Sequence, residues 1–233
     1  MSSELLSLKP VSTKLNGLVC VEIFDKTKLE LLLKSNLLIR EEKYDELLLL
    51  KKYKKNEGRV EYIRKTDFGR VFAEHACGLH MIRREIRHCI AGEYYVDIDI
   101  INCQPTILNQ VLLLANKEFV SLNSYVINRA KHLEEIQVTY NVDRDSAKHL
   151  INRVIFSGSF SKWAKHHNAT TLEKLPFIKE LEKEVKQISA FILENNPLIL
   201  RQCIEKQKKD VSNDNKVLSI YLQEIENRIL ETI

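Results

Sequence analysis

The segment Glu93-Tyr94-Tyr95-Val96-Asp97-Ile98-Asp99-Ile100 limits the fold most tightly, because it alternates aromatic and β-branched residues with acids. As a strand it places Tyr95, Asp97 and Asp99 on one face and Val96, Ile98 and Ile100 on the other. Two carboxylates on one face of an otherwise apolar strand are costly to bury unless they are paired or hold a cation. A divalent ion such as Mg²⁺ takes oxygen ligands from one or two carboxylates plus substrate phosphates. Asp97, with Asp99 beside it, is therefore a candidate metal ligand for phosphoryl or nucleotidyl transfer. An edge strand whose acids face water explains the same two residues, as does an acid capping the following helix. Short Asp-x-Asp motifs also serve metal-dependent nucleases and nucleotide-sugar transferases.

Around this segment the chain reads mainly as helix. Only six Gly and four Pro occur among 233 residues, and Leu, Lys, Glu and Ile are frequent, which favours helix over loop-rich architecture. Gly17–Phe24 reads as a short strand and Lys26 to about Tyr53 as one or two helices. Asn56-Glu57-Gly58 is a turn signal. Arg59–Lys65 alternates apolar and charged residues and, with Gly69–Phe72, suggests a small hairpin. Leu79–Ala91 returns to helical spacing. Asn102 is a candidate N-cap for a helix with Pro105 in its first turn. From Glu118 onward helices are expected, with breaks near 141–143, 157–159, 168–171, 195–197 and 212–215. The expectation is an α+β fold, mostly helical with a small antiparallel sheet.

Several classes are disfavoured. No uncharged apolar run approaches the roughly 18–20 residues of a membrane span, and the N-terminus lacks the features of a secretory signal. Five scattered cysteines without a Cys-x-x-Cys pair suit reduced thiols, so an intracellular setting is expected, cytoplasm and nucleus unresolved. The net charge of +4 is modest, but Lys51–Ile90 alone holds eleven Lys/Arg against five Asp/Glu. Such a block is either a solvated face or a phosphate-backbone contact that releases counterions.

Three further patterns share the chain with the acidic segment. Gly69-Arg70-Val71-Phe72 precedes Gly78-Leu79-His80-Met81-Ile82-Arg83-Arg84-Glu85-Ile86-Arg87, and such arginines suit bidentate phosphate contacts. Downstream, Arg144, Lys148 and Asn152 repeat every four residues, giving one helical face that Phe156 extends. A cationic stripe ending in an aromatic suits a triphosphate and a base or sugar. Ser219–Glu226 carries Gln223 on a helical pattern. Taken singly, each also reads as an ordinary surface or amphipathic helix.

In this order and spacing the patterns resemble the palm and fingers of family A DNA polymerases. Gly69 to Arg87 is similar to the family's template-contact motif, Tyr95–Pro105 to its motif A, Arg144–Gly158 to its motif B, and Gln223 to a primer-template minor-groove glutamine. The resemblance implies Asp97 as a ligand of Mg²⁺ or Mn²⁺ and Lys148 as a catalytic cation; Asp99, a metal candidate from the strand reading, is a neighbour on the same strand and does not stand in for the family's second carboxylate. Arg144, Lys148, Phe156 and Asn102 would contact the nucleoside triphosphate. Arg70, His80, Arg83, Arg84, Arg87 and Gln223 would contact a DNA primer-template, or RNA. Asn102 falls where the DNA polymerases place a Glu, which leaves the choice between deoxy- and ribonucleotides open. The pattern Asp-x-Asp-x-x-Asn-x-x-Pro is closer to polymerase-like proteins of large DNA viruses and mobile elements.

The resemblance covers about residues 59–233 and divides the chain into an N-terminal mainly helical region (1–58), a palm portion with a small palm-type sheet (59–117), fingers-like helices (118–200) and a helix returning to the palm (201–233). The family's second metal carboxylate lies in a downstream His-Asp hairpin, absent before Ile233. The expectation is thus a polymerase fragment acting in the DNA replication of a virus or mobile element, either a truncated gene product or a piece completed by a second chain, or a non-catalytic nucleic-acid-binding remnant. A metal-dependent nuclease or nucleotide-sugar transferase using Asp97 and Asp99 is the remaining reading.

Overall fold

The computed structural model describes residues 5–74, 78–96, 98, 100–205 and 214–232. The chain is α+β, mostly helical with one three-stranded antiparallel sheet, and it divides into two compact units.

The first unit comprises Ser12–Lys65 and Arg70–Ile100. Strand β1 (Leu18–Val21) leads to helices α1 (Lys26–Lys34), α2 (Leu37–Arg40) and α3 (Tyr44–Lys55), and then to β2 (Arg59–Ile63) and β3 (Phe72–Ala73). The sheet order is β1-β2-β3, with Cys20 opposite Val60 and Tyr62 opposite Ala73. Asp25 caps α1 by accepting from the Lys28 N–H at 2.9 Å, satisfying a donor that the helix itself cannot. The α3–β2 turn holds Glu57 at φ 52° and Gly58 at φ 73°. A Cβ on Gly58 would fall 2.3 Å from the Glu22 carbonyl oxygen, so only glycine fits this close approach. The core gathers Phe24, Leu29, Leu38, Leu50, Tyr53, Val60, Ile82, Ile86 and Ile90, with the Phe24 and Tyr53 rings 4.9 Å apart. A 3₁₀ turn (Leu79–Met81) and α4 (Arg84–Ala91) follow β3.

One expectation fails here. The described residues of Glu93–Ile100 belong to no strand, and Val96 and Ile98 are 86% and 85% exposed. Alternation reports fitness for a pleated, half-buried surface, and a strand also needs a hydrogen-bonded neighbour. None pairs with this segment among the described residues.

The second unit comprises Met1–Val11, Thr66–Gly69 and Ile101–Ile233. Its helices are α5 (Cys103–Leu114), α6 (Val120–Ile127), α7 (Arg129–Tyr140), α8 (Arg144–Ile155), α9 (Phe160–His166), α10 (Pro176–Asn195), α11 (Pro197–Glu205) and α12 (Asp214–Leu230). In α10, Pro176 opens the helix, and Ile178, Leu181, Val185, Ile188 and Ile192 fall at spacings of three and four and are buried. Each such side chain contributes about 1.5–3 kcal/mol of burial. Trp163, Tyr140, Tyr125 and Tyr221 are the largest buried groups of this core. The Trp163 indole N–H donates to the Ser146 carbonyl at 2.9 Å, and its ring meets Tyr140 edge-on at 5.4 Å. Asn196, 1% exposed, ties the N-terminal segment down: its amide donates to the Leu6 and Ile192 carbonyls, and its oxygen accepts from the Leu8 N–H.

Candidate nucleic-acid interface

Helix α8 begins at Asp143, whose carboxylate accepts from the Ser146 N–H at 2.6 Å. That bond holds the Asp143 pKa below its ordinary value. Ala147, Leu150, Ile151, Val154 and Ile155 are buried, which fixes the helix in rotation and leaves Arg144 and Asn152 exposed and Lys148 half-buried. Lys148 reaches back to Asp145 at 2.7 Å. This pair is solvent-exposed and worth only about 0–1 kcal/mol, so a phosphate can displace the carboxylate. Phe156 closes the helix as its C-cap and is partly buried against the core.

Other cations adjoin this stripe. Burial raises the Tyr125 hydroxyl pKa, and Arg129 and Arg144 act against that rise, so both guanidinium groups lie near Tyr125. At the far end of α9 the His167 ring is 4.8 Å from His166 and 5.8 Å from His149. Its Nδ1 is 2.8 Å from the Ser146 hydroxyl oxygen. Desolvation holds the His167 pKa down, and the two neighbouring histidines add to the effect. The sequence signal for this cluster is the His166-His167 doublet one turn past the buried Trp163, with His149 beside Lys148. Arg129 carried no sequence signal.

Gly69 and Gln223, expected in two separate motifs, meet within one unit. Gly69 has φ 106°, and a Cβ built on it would lie 3.7 Å from the Gln223 side-chain oxygen. The Gly69 N–H donates to the Glu224 carboxylate at 3.1 Å, and the Phe68 N–H donates to the Gln202 side-chain oxygen at 2.9 Å. Gln223 itself donates to the Ser219 hydroxyl at 3.2 Å. Arg70 follows and is exposed.

In the other unit, His80 stands on the 3₁₀ turn with its ring 5.8 Å from Tyr62. Burial lowers its pKa, Arg87 lowers it further and Glu22 opposes. Arg83 is held by carboxylates: Glu41 at 3.2 Å, Glu46 at 3.4 Å and Glu85 at 3.7 Å. Arg84, the first residue of α4, is exposed, and Arg87 is half-buried and donates to the Ile82 carbonyl at 3.3 Å. Glu22, His80, Arg87, His88 and Tyr95 line a cavity of about 380 Å³. Glu22 and His88 carry no sequence signal, and residues 22 and 95 meet only through the fold.

Asp97 and Asp99 lie outside the described residues. Asn102 precedes α5 in the left-handed conformation (φ 55°) and makes no side-chain cap bond, so it opens the helix differently from the cap expected of it. Its Nδ2 is buried without a hydrogen-bond partner among the described residues. No group of three or more His, Cys, Asp or Glu that could hold a metal occurs among the described residues. Cys20, Cys89, Cys103 and Cys203 are free thiols, and no described helix is long and apolar enough to cross a membrane.

No protein-family model matches the chain, and no solved structure matches it. It is similar to "Putative helicase V13" of Sputnik virophage, at 31% identity over 176 residues. The match covers 70% of this chain and 21% of the relative, so the chain spans about a fifth of that relative's length.

Proposed function

We propose that this chain is a nucleic-acid-binding section of a viral or mobile-element replication protein, with the palm-and-fingers chemistry of a family A nucleotidyltransferase. The observation that carries this reading is the α8 stripe. Arg144 and Lys148 stand on the open face of a helix fixed by its buried side, with Arg129 and three imidazoles close by. Cations so placed bind a phosphate chain, and in polymerising chemistry they offset charge as the leaving phosphate departs. Asp97 and Asp99 supply the hard oxygen donors that suit Mg²⁺ or Mn²⁺. In this reading Phe156 and Asn102 are the nucleotide contacts, and Arg70, His80, Arg83, Arg84, Arg87 and Gln223 the template or primer contacts. The likeness to a virophage protein named as a helicase supports a replication role.

The printed name of that relative favours a second reading, a binding section within a longer helicase-type protein. None of the six glycines here is followed by Lys, so the phosphate-binding loop of a P-loop motor is not within this sequence. Primer extension with Mg²⁺ or Mn²⁺ separates the two readings. Incorporation that Asp97→Ala abolishes supports the polymerase. Salt-sensitive primer-template binding by this chain with no incorporation supports the binding section.

A further inference from the structure

The cavity beside α4 is lined unlike a simple anion site. Three rings, those of His80, His88 and Tyr95, share its wall with one carboxylate and one guanidinium. Glu22 is fixed there, accepting from the Tyr62 hydroxyl at 3.2 Å and the Leu79 N–H at 2.7 Å. A carboxylate has about four lone-pair positions, so Glu22 retains acceptor capacity toward the cavity. Tyr95 is fixed as well, its hydroxyl accepting from the Ile23 N–H at 2.7 Å. Arg87, anchored at one Nη by the Ile82 carbonyl, brings positive charge to the same wall. The volume, about 380 Å³, lies in the range of small-molecule sites, roughly 300–1,000 Å³.

A ligand that satisfies all three kinds of group has a flat π-face, hydroxyl or amino donors, and an anionic end. We propose that this cavity binds one nucleotide unit, its base stacked on the rings, its sugar hydroxyl or exocyclic amine donating to Glu22 and its phosphate on Arg87. A free mononucleotide and an unpaired residue of a strand share this chemistry. The inference rests on the nucleic-acid reading of the His80–Arg87 segment, but not on polymerising chemistry.

Calorimetric titration of the chain with AMP, adenosine, inorganic phosphate and single-stranded oligoadenylate tests it. AMP is expected to bind more tightly than adenosine, and phosphate alone not to bind. His88→Ala and His80→Ala are expected to weaken AMP by about 5- to 150-fold, the range for losing one stacking contact, with the melting temperature unchanged. Arg87→Gln is expected to weaken AMP and leave adenosine unaltered. Competition by AMP against the oligonucleotide identifies a strand residue as occupant; AMP binding that leaves the oligonucleotide in place identifies the free nucleotide. A silent AMP titration, phosphate binding equal to AMP, or unchanged AMP affinity in folded His88→Ala overturns the proposal. Primer extension and the AMP titration are separate readouts, so failure of the polymerase reading is distinguishable from failure here.

Discussion

Gly69 is held by its N–H bond to Glu224, a carboxylate only 1% exposed that also accepts from Arg228 at 2.9 Å. Its φ of 106° lies where side chains rarely go. Gly69→Ala is therefore expected to cost about 1–3 kcal/mol, read as a lower urea midpoint at unchanged slope. A titratable residue gives a second prediction. The His132 ring stacks on Phe177 at 4.0 Å, its Nε2 lies 2.9 Å from the Ser124 hydroxyl, and burial holds its pKa below 6.5. Glu135 on its own helix opposes that shift, and Lys131 adds to it. The unfolded chain thus binds a proton that the folded imidazole resists. Stability is retained above pH 6.5 and falls as the pH drops through the folded pKa. The melting temperature is expected to drop between pH 7.5 and pH 5.5, and His132→Asn to lose less over that interval.

Helix α8 gives the clearest contrast between what local sequence encodes and what the fold supplies. Its cap, buried stripe and ending at Ser157-Gly158 are written within sixteen residues, and the expected Arg144/Lys148 face is present. Asp143→Ala removes the cap and is expected to lower the denaturation midpoint, measured by chemical denaturation. Helix α6 has no such local cap: its Ser121 and Leu122 N–H groups donate to Glu184, more than sixty residues away on α10. Glu184→Ala is expected to cost about 1–3 kcal/mol through the unmet donors. No local pattern could show that contact, just as none joins Glu22 to Tyr95. The described residues of Glu93–Ile100 show the opposite error. The β-type alternation is strong, yet strand formation depends on a neighbour that the segment itself cannot encode. The β2–β3 hairpin was legible because both partners lie within fifteen residues.

Across the whole molecule the net charge of +4 is small, so the proposed nucleic-acid binding rests on local placement of cations. In the α8 region, Arg129, Arg144 and Lys148 are the cations so placed, with the His149, His166 and His167 rings beside them. The claim that Arg144 and Lys148 contact phosphates is tested most directly by the salt dependence of primer-template binding, followed by fluorescence anisotropy between about 50 and 200 mM salt. Each lost phosphate contact reduces the log–log slope by about 0.9 on duplex DNA. The double variant Arg144→Ala/Lys148→Ala is expected to bind more weakly, with a slope shallower by about 1.8 and an unchanged melting temperature. A folded double variant whose affinity and slope match those of the natural sequence would contradict the account.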